Sequence, residues 1–151
     1  MMYLPTHCRR PVKLSPNSFN SQIMHTLITQ GIRVSVQTAY QADYSRPHQS
    51  KFIHSYRVSI ENTSSTTVQL LRRYWQVQDS SGDQQEVEGE GVIGQQPILQ
   101  PGENHQYVSW CPLTTEIGRM WGSYQMVDLE TNQLFTVHIP RFDLIVPFKL
   151  N

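Results

Sequence analysis

A chain of 151 residues suits one domain, with room for a core that needs neither metal nor disulfide support. Its 12 basic and 12 acidic side chains cancel, so no overall charge steers it toward nucleic acid or a membrane surface. The cysteines, Cys8 and Cys111, stand far apart and argue against a disulfide framework, and no run approaches the ~18 apolar residues of a membrane span or the apolar stretch of a secretory signal; the expected setting is the reducing cytoplasm.

Residues 1–27 place Pro5, Pro11 and Pro16 among Ser15, Asn17, Ser18, Asn20 and Ser21 without helical or strand periodicity. They are expected to form a flexible N-terminal arm. The arm is basic and lacks acidic residues, but its prolines argue against the amphipathic helix of a mitochondrial targeting segment, and Met24 offers an alternative start. Residues 28–151 are read as a single β-domain.

From Gly31 onward the period is two. Ile32, Val34, Val36, Thr38 and Tyr40 alternate with Arg33, Ser35, Gln37 and Ala39, and Phe52, His54, Tyr56, Val58 and Ile60 alternate with Ser55, Arg57, Ser59 and Glu61, the pattern of half-buried strands. Residues 68–79 continue with Leu71, Arg73, Trp75 and Val77 on one face, and the DSSGD of 79–83 reads as a hairpin turn. Shorter strands are expected at 85–88, 105–111, 121–129 and 134–139, with Pro140 closing the last and the tail able to supply an edge strand. Seven or eight short strands with no ten-residue stretch of period 3.6 predict an all-β antiparallel β-sandwich.

The segment after 85–88 holds Gly89, Gly91 and Gly94, a GxGxxG. In a nucleotide enzyme that pattern joins a strand to a helix whose free N–H groups face a pyrophosphate. Here Pro97 and Pro101 follow too closely for a helix, Glu86, Glu88, Glu90 and Glu103 surround it, and no Lys or Arg lies between Tyr74 and Gly118. The glycines are read as shaping a bulged strand and loop, open to the close approach of another backbone.

Several groups of residues, in one order, resemble the ApaG family: GIRVSV (31–36), SIEN (59–62), QLLRRYW (69–75), VEGEGVIGQQP (87–97), PGE (101–103), the YxSxxPLxT frame (107–115), GxMxGSYQMV (118–127) and IPRFDL (139–144). The resemblance implies a fibronectin type III-like sandwich and a family whose biochemical activity is unsettled. Its bacterial members are linked genetically to cobalt resistance and magnesium efflux, and its eukaryotic domains serve as protein-interaction modules, one attached to an F-box. It also implies a proposed pyrophosphate element at Gly89, Gly91 and Gly94. Trp110 departs from the family, whose members commonly have glycine there.

Candidate sites follow. For a phosphate or nucleotide ligand, Gly89, Gly91 and Gly94 would need a cation, and Arg72 and Arg73 are the candidates; Trp75 is expected to fill the core and Arg73 to emerge at the sheet edge or cap a carboxylate, with Arg72 on the opposite, solvent side. Trp110 and Trp121, with Tyr124 and Met126, could give an apolar recognition surface for a protein partner. His54, His105 and His138 lie in three strands without metal-ligand spacing and are read as partly exposed strand residues. No catalytic group, metal or cofactor is expected, since no nucleophile elbow surrounds Ser109 or Cys111. The reading is a non-enzymatic binding module acting indirectly in divalent-cation homeostasis, with a pyrophosphate sensor as the alternative and a homodimer through an exposed edge strand as a possibility.

Overall fold

The computed structural model describes residues 23–149. Nine strands run in this order: β1 (His25–Thr29), β2 (Ile32–Tyr40), β3 (Phe52–Asn62), β4 (Val68–Asp79), β5 (Gln84–Glu90), β6 (Ile98–Leu99), β7 (Asn104–Leu113), β8 (Ile117–Asp128) and β9 (Leu134–Ile145). Short 3-10 turns at Ala42–Tyr44 and Pro47–Gln49 bridge β2 and β3. One sheet has the order β1-β2-β3-β7 and the other β5-β4-β8-β9, with β6 also paired to β4, and every pairing is antiparallel.

The alternation read from the sequence decides which residues meet. Ile32, Val34, Val36, Val58 and Ile60 of the first sheet face Leu70, Trp75, Val77, Met120, Tyr124, Met126, Val137 and Leu144 of the second, and all are buried. Inside this layer Tyr56, Trp75 and Phe142 form an aromatic cluster with ring centroids 5.3 to 6.0 Å apart. Such pairs add roughly 0.5–1.5 kcal/mol each beyond their area.

Three expectations need correction. The arm boundary lies too far along, because β1 begins at His25 and pairs with β2; residues 1–22 lie outside the described residues. The strand count rises to nine because β1 and the two-residue β6 carry too few residues to show a period. Pro140 does not close the last strand: β9 runs through it to Ile145, at a register shift between Met120 and Gly122 of β8. β9 is an edge strand, where a missing N–H is tolerated.

Candidate functional site

After Glu90 the chain leaves β5 and returns as β6, and both strands pair with β4. The excursion is pinned at Leu71, where the β4–β8 register shifts. Gly91 N–H donates to Leu71 O at 2.8 Å and Gln96 Nε2 to the same oxygen at 3.0 Å. Between these anchors Val92 and Gln95 exchange N–H···O bonds of 2.8 and 3.0 Å, with Ile93 at φ 47° and Gly94 at φ 73°. Positive φ at both central residues marks a type I′ turn. The GxGxxG is therefore the regular end of β5 and a tight turn: the expected bulge is not in the glycine strand but in β4, where it pairs with β8, and no helix leaves the segment.

Each glycine of the motif has its own mechanical reason. A Cβ on Gly89 would sit 2.8 Å from Arg73 Nη1 and 2.9 Å from its Cζ, so the absent side chain is the berth of the guanidinium. A Cβ on Gly91 would lie 2.2 Å from Gln95 O, and Gly94 meets nothing within 4 Å but requires its left-handed φ.

Arg73 does lie on the inner face with Trp75, but it caps main-chain carbonyls rather than a carboxylate: Nη1 donates to Glu90 O and Gly91 O at 3.0 Å each. Leu71 does not share that face; the bulge turns Leu70 inward instead, fully buried. Beneath the guanidinium the buried hydroxyls of Tyr107 and Tyr124 share a hydrogen bond. Burial pushes both phenols above their ordinary range, and the nearby Arg73 charge pulls the other way. Arg72 points to solvent, 4.0 Å from the Glu90 carboxylate, an exposed pair worth little. The two arginines thus lie on opposite faces of the sheet and do not converge on the loop.

The aromatic candidates separate as well. Trp110 faces out from the four-stranded sheet and meets Tyr44 edge-on at 4.8 Å, a partner that no period in the sequence links to it. Trp121 faces out from the other sheet under the Arg141 guanidinium, 4.7 Å from the ring centroid, while Tyr124 and Met126 are wholly buried. One patch containing both tryptophans is ruled out by the sandwich itself.

The histidines do not converge either. His54 and His105 lie on β3 and β7 but pair with Cys111 and Ile60, six residues apart along each strand, roughly 20 Å. His138 is exposed on the opposite sheet. Among the described residues no group of three His, Cys, Asp or Glu side chains could hold a metal ion. His54 corrects the expectation of partial exposure: it is 1% exposed and its Nε2 has no hydrogen-bond partner. Burial lowers its pKa from 6.5 to about 4 and raises the Cys111 thiol to about 12, so at neutral pH the pair is a neutral imidazole beside a protonated thiol.

This carries a pH dependence. The unfolded chain protonates His54 near 6.5 and the folded chain near 4, so between these values the unfolded state binds more protons and stability falls as the pH falls. Its contribution is complete above pH 6.5, and up to about 3 kcal/mol is lost on passing through pH 4. Urea unfolding at pH 7, 5.5 and 4 should show this loss, and His54→Leu should flatten it; an equal slope in the variant would assign the acid sensitivity elsewhere.

A shallow depression of about 190 Å³ at one end of the second sheet is lined by Asp79, Ile117, Arg119 and Asp143 among others. Asp79 Oδ1 is spent on the Ser81 and Asp83 N–H groups and the Ser81 hydroxyl, and Arg119 on Asp143 at 2.8 Å.

Two antiparallel sheets face to face, with glycines that serve a turn and an arginine berth, define the class: a fibronectin type III-like β-sandwich. Residues 42–128 match the family model described as ApaG domain. The Protein ApaG of Brucella canis and that of Brucella anthropi are each 48% identical over 124 residues, covering 82% of this chain and 95% of theirs. A solved Bordetella pertussis structure described as an ApaA protein superimposes with a TM-score of 0.75 at 43% identity, over 77% of this chain and 94% of its own. The chain belongs to the ApaG domain family.

Proposed function

We propose that this chain is a non-enzymatic module that works by binding another protein, with the glycine segment as one contact element. The observation that carries the reading is Ile93. It stands at the tip of the turn, 55% exposed, at φ 47°. For a β-branched residue that conformation costs about 1–2 kcal/mol, and a type I′ turn would take Asn or Gly there at no such cost. An apolar side chain held out to solvent at the expense of backbone strain suits a contact made with a partner. Glu90 precedes the turn and Glu88 and Glu86 follow it back along β5, all exposed, so the partner's surface is basic. A cytoplasmic partner of this kind would make any effect on cobalt or magnesium homeostasis indirect, in keeping with the family resemblance.

The pyrophosphate reading meets a loop whose nearest guanidinium nitrogen is already bonded to two carbonyls and whose rim is acidic. Amide-resolved NMR of the full chain with ADP and magnesium is expected to leave the spectrum unchanged. Saturable shifts confined to residues 89–94 and Arg73 would overturn the proposal in favour of a nucleotide sensor. Ile93→Asn is expected to raise stability by about 1 kcal/mol; a loss would mean that Ile93 is held by packing and not kept for a contact.

A further inference from the structure

The outer face of the second sheet has no covering layer among the described residues, and its registered pairs arrange it in rows. Ile98, Gln69, Val127 and Leu134 form one row, running from β6 through β4 and β8 to β9. Ile98 is 53% exposed and Leu134 60% exposed, so the row carries an apolar side chain in solvent at each end. Farther along the strands Glu88, Tyr74, Ser123 and His138 form a second row. A third runs from Glu86 through Gln76 to Trp121, which lies in the shifted register opposite Pro140 and Arg141, with Arg141 over its ring. The rows of Glu86 and Glu88 thus end at the β9 edge in Arg141 and His138, while the row between the first two, Glu90, Arg72, Gln125 and Thr136, ends there in a hydroxyl.

A twofold axis parallel to the strands, above the centre of this face, keeps each row at its own height and exchanges its ends. We propose that this face is a self-association surface on which a second copy docks about that axis. Ile98 then meets Leu134 of the partner subunit, Glu88 meets His138 of the partner subunit, and Glu86 meets Arg141 of the partner subunit. One operator matches apolar with apolar and acid with base, as an isologous interface requires. A twofold axis across the strands would instead lay β5 on its own copy and set carboxylates against carboxylates. The same carboxylates oppose dimerisation by strand addition at the β5 edge.

Strands of 12 residues, as in β4, β8 and β9, are roughly 40 Å long, and four abreast span roughly 15–20 Å. Such a face is at the lower end of specific interfaces, and with few apolar anchors in it the expected dissociation constant is in the micromolar range. The inference concerns a second copy and not the loop tip: it shares Glu86 and Glu88 with the acidic strand of the protein-partner reading, but Ile93 has no part in it, so Ile93→Asn should leave the dimer unchanged.

Sedimentation velocity of the full chain, from about 1 µM to 1 mM at low salt, is the test. The expected result is a reversible monomer–dimer equilibrium. Leu134→Asp, Glu86→Lys and Arg141→Glu should each weaken it at least tenfold with melting temperatures little changed, and the charge swap Glu86→Lys with Arg141→Glu should restore it. Within one chain those residues stand on strands separated by β4 and β8, so rescue can only come from contact between copies. A monomer at every concentration, or a dimer indifferent to Leu134→Asp and not rescued by the swap, would overturn the proposal.

Discussion

Gly122→Ala is expected to destabilise the fold by at least about 3 kcal/mol. Gly122 lies in β8, at the centre of the second sheet, opposite Trp75 on one side and Ile139 on the other. A Cβ there would stand 2.1 Å from Tyr74 O and 3.1 Å from the Trp75 Cα. Both are backbone atoms of the neighbouring strand, so no rotamer change relieves the overlap and the β4–β8 ladder must open. Overpacking of a well-packed site costs about 1–3 kcal/mol when side chains can yield; here the main chain must yield, beside the buried Trp75. In a domain of this size the loss corresponds to a melting temperature lower by about 10 °C. A urea midpoint equal to that of the unchanged protein would show that the sheet has slack at this point.

Asn62→Ala should cost about 3–5 kcal/mol, through unmade hydrogen bonds rather than overlap. Asn62 is fully buried at the end of β3. Its Nδ2 donates to Thr66 O at 2.8 Å and Leu99 O at 2.9 Å, and its Oδ1 accepts from Ser64 N at 3.0 Å and the Ser64 hydroxyl at 2.6 Å. Alanine would remove the side-chain donor to the buried Leu99 O and the acceptor of Ser64 N–H, and leave Thr66 O with the Ser64 hydroxyl at 3.2 Å; each buried group left unmade costs roughly 1–3 kcal/mol. Asn62→Asp should be at least as damaging, because it keeps the acceptor but turns a carboxylate toward the same carbonyls. Equilibrium unfolding measures the cost, and a loss below about 1 kcal/mol for either variant would remove Asn62 as an organiser. Since Leu99 O belongs to β6, the same variants should raise amide exchange at Ile98 and along residues 91–97 before the rest of the second sheet responds.

The resemblance to ApaG proteins was legible because the matching groups are the parts of the chain with the least freedom. Gly122 within GxMxGSYQMV is fixed by a backbone oxygen 2.1 Å from its would-be Cβ, Gly91 within VEGEGVIGQQP by another at 2.2 Å, and Asn62 within SIEN by four hydrogen bonds. The candidate sites were less legible. Alternation places Arg72 and Arg73 on opposite faces, but not the partners of Arg73, which are the Glu90 and Gly91 carbonyls and not a carboxylate. Trp110 and Trp121 look like one aromatic group until the sheets place them back to back. The single-residue bulge at Leu71 exchanges Leu70 for Leu71 in the core, and nothing in the pattern LLRR marks it.

By itself the sequence determined the longer strands, their faces up to the bulge at Leu71, and the class of fold, because a period of two is a local property of the backbone and turn residues act within a few positions. It also excluded a helix after the glycine segment, since a proline acts on its own turn. Tertiary structure alone decided which side chains meet: that Gly89 is the berth of Arg73, that the buried His54 Nε2 has no hydrogen-bond partner, and that Glu86 and Glu88 lie across one face from Arg141 and His138. Those facts depend on register and sheet order, which join residues tens of positions apart, and pairing at that range is set by how the faces pack rather than by any spacing along the chain.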